Sequence, residues 1–205
     1  MDGKKLKTVF IICLVLFVVY LCLPWENGNS EGAVLRNHIR REKVLPWNVK
    51  LIHIEDLSLQ DGQENMRAVI FKEKEDYILQ WYQMDEEGNY RLYKNAYGNH
   101  HNTDESVVSF PKLYMDFYEQ DYELYFVEDE RVEQVHLFYD YKIRDGKEII
   151  EEGNIDEIYS VKDVPQLLCV PDMFAKLIEK GGNGIGGSIE AVGEDVNGNS
   201  ISYHK

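Results

Sequence analysis

Val9 to Leu23 is an unbroken apolar run of fifteen residues, preceded by Lys4, Lys5 and Lys7 and closed by Pro24 and Trp25. Between Leu6 and Trp25 the one charge is Lys7, at the rim. Twenty helical residues at ~1.5 Å each match a hydrocarbon core of ~30 Å, so the stretch is just long enough to span a bilayer. A strictly apolar core of this length is also the upper end of a secretory signal. The cleavage context is poor, because the small residues Gly28 and Ser30 lie beyond Pro24 and the bulky Trp25. The expectation is an uncleaved transmembrane anchor over residues 8–25, with secretion after cleavage as the alternative. Leu21 precedes Cys22 where a lipidation signal wants a small residue, which argues against a lipoprotein.

The lysines before the run, with Glu26 and Glu31 after it, keep residues 1–7 in the cytoplasm and place the rest outside. Arg36, Arg40, Arg41 and Lys43 weigh toward the inverted topology. Residues 1–44 hold seven basic and four acidic groups, net +3; of the whole-chain net charge of −15, the remainder therefore carries −18. So acidic a domain repels phosphate backbones and anionic lipid, which excludes nucleic acid as a partner. With 44% hydrophobic residues it can still bury a core. Cys13 and Cys22 lie in the apolar run, so Cys169 alone remains and no disulfide forms within the exported part. An exported chain without disulfides fits a bacterial envelope. Cys169, between Leu168 and Val170, reads as a small core residue rather than a catalytic thiol.

Residues 26–44 are poor in large apolar side chains and read as a linker. Leu35 and Ile39 would share a face if it were helical, flanked by Arg36, Arg40 and Arg41, as in a short helix resting on anionic lipid. From Leu45 onward the period is two. Val49 to Ile54, Arg67 to Lys72, Tyr77 to Met84, Tyr90 to Lys94, Val107 to Phe110, Leu113 to Tyr118 and Tyr122 to Val127 all read as strands, with Pro111 confined to an edge or break. Val135, Leu137, Tyr139, Tyr141 and Ile143 alternate with polar residues, and Asp145-Gly146 offers a tight hairpin into Lys147 to Glu152. Pro171 to Lys180 predicts the one helix of the C-terminal half, its apolar face on the sheet and Gly181 as its stop. Ser188 to Val192 and Ser200 to Tyr203 predict a last hairpin around Asn197-Gly198. The expected fold is mainly β, α+β in class: antiparallel sheets or a sandwich, one packed helix, and the anchor, with residues 45–205 as a single extracytoplasmic domain. Glu75 to Trp81 echoes Gln120 to Phe126, but two copies cannot close a propeller, and ordinary strand composition accounts for them.

Signals for chemistry are sparse. Gly182-Asn183-Gly184-Ile185-Gly186-Gly187 satisfies G-x-G-x-x-G, yet it follows a helix and precedes a strand, the reverse of a dinucleotide site, so a flexible loop is expected and no cofactor. His100, His101 and Asp104, with Glu105, are candidate metal ligands, against the plainer reading of loop polarity. Asp195-x-Asn197-x-Asn199 opens like a calcium loop, but Ser200 replaces the required glycine. Neither G-x-S-x-G nor H-E-x-x-H occurs. Tyrosine is abundant, and Tyr114, Tyr118, Tyr122 and Tyr125 are candidates for an aromatic binding surface. The sequence therefore points to a membrane-anchored, non-catalytic domain that binds a partner protein or a cell-wall component. The alternative is an envelope hydrolase using paired carboxylates, with or without a metal.

Overall fold

A computed structural model describes residues 3–22, 27–58, 65–98, 106–115, 120–173, 177 and 184–201. It is mainly β, with antiparallel sheets and two helices among the described elements. The chain divides into two compact units, residues 1–75 with 80–95 and residues 76–79 with 96–205.

Unit 1 begins with helix α1 (Gly3–Cys22). Its described side chains run from Lys7 to Val19, and every one is exposed. Among the described residues no helix is long and apolar enough to cross a membrane, so the expected transmembrane helix over residues 8–25 is not supported here. Residues 26–44, expected as a spacer, instead contain helix α2 (Glu31–Glu42). Ser30 caps its first turn by accepting from Ala33 N at 3.3 Å, and Lys43 ends it in the left-handed region at φ 54°. Glu31 in the first turn and Arg40 and Arg41 in the last suit the helix dipole. Its buried stripe is Ala33, Val34, His38 and Ile39. Two of the four are alanine and histidine, so the sequence carries little sign of a packed face.

The sheet of strands β1 (Val49–Ser58), β2 (Asn65–Glu73), β3 (Asp76–Met84) and β4 (Tyr90–Gly98) is a simple meander in that order. In β3 every residue from Tyr77 to Tyr82 is buried, so both faces are covered and no alternation shows. Residues 27–29 are also bound to unit 1. Gly28 N donates to Tyr90 O at 2.6 Å, and Tyr90 N donates to Asn29 Oδ1 at 2.8 Å. Arg67 donates to Gly28 O at 2.7 Å while its other nitrogens grip Asp56 at 2.6 and 2.8 Å, with its guanidinium 4.1 Å above the Tyr90 ring.

Unit 2 holds two three-stranded antiparallel sheets. One is β5 (Val107–Met115), β6 (Gln120–Val127) and β9 (Gln166–Pro171), with β6 central. The other is β7 (Gln134–Asp145), β8 (Glu148–Ser160) and β10 (Gly184–Glu194), with β7 central. The alternation expected in β7 is present: Val135, Leu137, Tyr139 and Ile143 are buried, with Tyr141 half-buried. Val135, Leu137 and Tyr139 join Tyr125 and Val127 of β6 and Leu168 and Val170 of β9 in one core. Cys169 is half-buried in β9, opposite Leu124.

Three local expectations shift. Asp145 pairs with Glu148, so the central turn residues are Gly146 and Lys147 rather than Asp145 and Gly146, and only Gly146 has positive φ, at 62°. That geometry needs glycine at the first central position alone. Gly184 to Gly187, expected in a loop, are the start of β10 and pair with Arg144 to Tyr141. In the expected Pro171 to Lys180 helix, Pro171 ends β9 and Asp172 is not helical; helical geometry is described at Met173 and Leu177, both buried, and 174–176 and 178–180 lie outside the described residues. The last hairpin forms as expected through a turn at Asp195–Asn199, with Gly198 at φ 78° and Ile201 N returning to Gly193 O.

Candidate functional site

The densest group of titratable side chains lies inside unit 2. Glu123 and Tyr125, two apart on β6, point to the same face, where hydrophobic alternation would place apolar residues. Glu123 is 3% exposed. Its Oε2 accepts the Tyr125 hydroxyl at 2.9 Å and, from β7, the Tyr139 hydroxyl at 3.1 Å. On β5 the register slips between Phe110 and Leu113, so Pro111 and Lys112 occupy a bulge on an edge strand. Proline is tolerated there because no ladder bond is owed, and the bulge re-aims Lys112. Lys112 Nζ lies 2.7 Å from Asp172 Oδ2 and 3.3 Å from Glu123 Oε1. Asp172 follows β9, is itself buried, and donates its backbone N–H to Asp121 O at 2.9 Å.

The electrostatics follow from burial. Loss of water pushes the Glu123 carboxyl above the usual carboxylate range; Tyr125 and Lys112 pull it back, and the neighbouring Asp172 adds to the rise. Burial opposes the charge on Lys112, but its bond to Asp172 and the charge on Glu123 outweigh that and hold the ammonium above its ordinary value. Burial raises both tyrosine hydroxyls, and the Glu123 charge raises them further. Two carboxyls and one ammonium leave one excess negative charge in the group.

A second buried polar chain organises unit 1. His38 stacks on Phe71 with ring centres 4.0 Å apart. Its Nε2 lies 2.6 Å from Glu73 Oε1, and its Nδ1 lies 3.1 Å from Gln80 Nε2. The Tyr82 hydroxyl donates to Gln80 Oε1 at 3.1 Å. This orientation makes Gln80 the donor to Nδ1, so a neutral His38 carries its proton on Nε2 and donates to Glu73. Burial lowers the His38 pKa against the pull of Glu73, and burial pushes the Tyr82 hydroxyl up to about 12.

The candidate binding tyrosines divide. Tyr125 is 5% exposed, its ring in the core and its hydroxyl on Glu123, so it offers no surface. Tyr122 is half-buried, and its backbone pairs with Leu113 and Pro171. Tyr114 pairs with Asp121 in the β5–β6 ladder. Tyr118, His100, His101 and Asp104 lie outside the described residues. Tyr82, Tyr90 and Tyr139, which seemed surplus to a core by composition, are buried in it. Glu123, Asp172, Lys112 and His38 were not singled out by the sequence, although the Glu-x-Tyr alternation at 123–125 would have marked a carboxylate on an inward face. Among the described residues no three His, Cys, Asp or Glu side chains converge as a metal site requires. No protein-family model, curated protein or solved structure matches this chain.

Proposed function

We propose that this protein is a non-catalytic, partner-binding β domain held at a membrane by its N-terminal helix, with the domain on the extracytoplasmic side. The observation that carries the anchor is the exposure of α1. The large hydrophobics from Val9 to Val19 are each 48–69% exposed, in a stretch of the helix without a charged side chain. So continuous an apolar surface is stable in lipid and costly in water. With Leu6 before it and Tyr20 to Leu23 after it, the apolar sequence reaches spanning length. Binding rather than turnover is favoured by the burial of Glu123 and Asp172 and by Lys112, which already pairs with both carboxyls a substrate would need to meet.

Fractionation tests the anchor. The full chain is expected in membranes after carbonate extraction, with its C-terminal domain cleaved by protease added outside intact cells. Leu16→Arg with Val18→Arg adds roughly 5–7 kcal/mol to insertion and should release the protein. Carbonate resistance of that double variant would sink the anchor, and protection of the domain from external protease would reverse its side.

One observation favours an acid-pair hydrolase as a second function: Glu123 has the raised pKa of a general acid and a second carboxyl beside it. Release of reducing ends from envelope polysaccharide, lost in both Glu123→Gln and Asp172→Asn, would establish it in place of binding.

A further inference from the structure

The sheet that pairs β7 with β8 and β10 has two edges of different character. β10 lies against β5, and Gly193 sits so close to Ser106 and Val132 that a Cβ there would meet Ser106 Oγ at 2.2 Å. β8 is different: it pairs along one side only, with β7, and among the described residues no strand lies beyond it. Its outward main-chain N–H and C=O groups form an open template thirteen residues long.

Open edges of this length are ordinarily blunted by lysine, proline or shortness. Between Glu148 and Ser160 there is no Lys, Arg or Pro. The single irregularity is a bulge at Ile150, which leaves Glu151 to Ser160, about 33 Å of regular strand at 3.3 Å per residue. The exposed residues of that stretch alternate with half-buried ones, and Ile158 is 57% exposed beside the acidic positions. Five acids stand on this strand: Glu148, Glu151, Glu152, Asp156 and Glu157. Lys142, 3.6 Å from Glu152, and Arg144, opposite Ile149, are the Lys/Arg residues that β7 sets across the ladder.

We propose that the free edge of β8 is a strand-addition site for an extended, Lys/Arg-bearing segment of a partner protein. This rests on the partner-binding function above and names the class of partner. The occupant follows from charge. A second copy pairing β8 to β8 would set five acids against five on facing strands, and like charges directly opposite are destabilising. A basic segment with apolar residues at alternate positions pairs its main chain with β8, sets its cations beside Glu152 and Asp156, and covers Ile158. The acidic side chains thus oppose self-association and select the incoming strand in one arrangement.

The full chain in detergent micelles, titrated with a fluorescent decapeptide of alternating Lys and Val, tests this by anisotropy. Saturable binding is expected, weakened about tenfold or more by the pair Glu152→Lys and Asp156→Lys. The same peptide N-methylated at alternate residues keeps its charge but cannot form the ladder, and it should lose binding to a similar degree. Equal binding of the methylated peptide, or its displacement by spermine at matched charge, would reduce the interaction to charge alone and overturn strand addition. Undiminished binding to the reversed pair would place the site elsewhere, and dimerisation of the peptide-free chain through β8 would replace the proposed occupant. A chain that fractionates with membranes but fails every peptide arm refutes this edge and leaves the anchor standing.

Discussion

Tyr139 of β7 donates its hydroxyl across 3.1 Å to Glu123 of β6, so the central strands of the two sheets in unit 2 are joined through a buried carboxylate. Burial raises the Glu123 pKa above its ordinary 4.5, so the folded state binds this proton more tightly than the unfolded chain. Its stabilising share is complete below 4.5 and is lost as pH rises through the folded value. Glu123→Gln keeps an oxygen for both tyrosines and abolishes the titration. The expected result is a flatter dependence of unit 2 stability on pH above 4.5, read by hydrogen exchange of the β6 and β7 amides. Glu123→Leu strands two hydroxyls, at about 1–3 kcal/mol each. Equal cost for Gln and Leu at every pH would show that the carboxylate does not titrate as described.

His38 works in the opposite sense. Its pKa is lowered by burial from 6.5, so its neutral form belongs to the folded state. Stability from this residue is complete above 6.5 and is lost as pH falls toward the folded value. Amides of β2 and β3 should therefore exchange faster at pH 5 than their intrinsic rates explain, while β6 and β7 gain protection. His38→Ala removes a ring packed on Phe71 and orphans the Gln80 donor, at about 2–4 kcal/mol by urea unfolding. Loss of the pH effect in that variant ties it to this residue.

Close approach makes two glycines irreplaceable and leaves a third replaceable. A Cβ on Gly28 would meet the buried Tyr82 ring at 2.4 Å, and one on Gly193 would meet Ser106 Oγ at 2.2 Å and Val132 at 2.9 Å. Alanine at either should cost about 1–3 kcal/mol through forced repacking. Gly186, also in β10, has nothing within 4 Å of such a Cβ. Gly186→Ala should stay within about 0.5 kcal/mol, and denaturation of the three variants side by side makes the comparison.

Asn27 to Asn29 and α2 are bonded to the sheet of unit 1. A chain beginning at Asn27 keeps Gly28 under Tyr82, the Arg67 bond to Gly28 and the whole of α2. It should unfold cooperatively and resist proteolysis. A chain beginning at Leu45, the start of the strand signals, loses the cover over Phe71, Gln80 and Tyr82, and should aggregate or show protease-sensitive β2 and β3. Equal stability of the two would mean that α2 adds nothing to the packing.

By itself the sequence determined what depends on neighbours along the chain. The apolar run Val9 to Leu23 is helical over most of its length, an uninterrupted stretch free of glycine and proline, and the period-two stretch 134–143 is a strand with one buried face because that period allows no other burial. Pro111 fell in an edge-strand bulge and Gly198 in a turn for equally local reasons, a missing donor and a positive φ. Tertiary structure decided what depends on partners far off in sequence. The helix at 31–42 packs through a histidine whose acceptor and donor, Glu73 and Gln80, lie 35 and 42 residues away, so its own residues read as a solvated spacer. Glu123 and Asp172 are brought together by β6–β9 pairing, with Lys112 set beside them by a bulge in β5, and no spacing rule in one dimension anticipates a mid-strand carboxylate, one just past a strand end and a displaced lysine. Tyr82, Tyr125 and Tyr139 are core residues because buried Glu123 and Gln80 accept their hydroxyls, and a polar ring can enter a core once its one donor is satisfied.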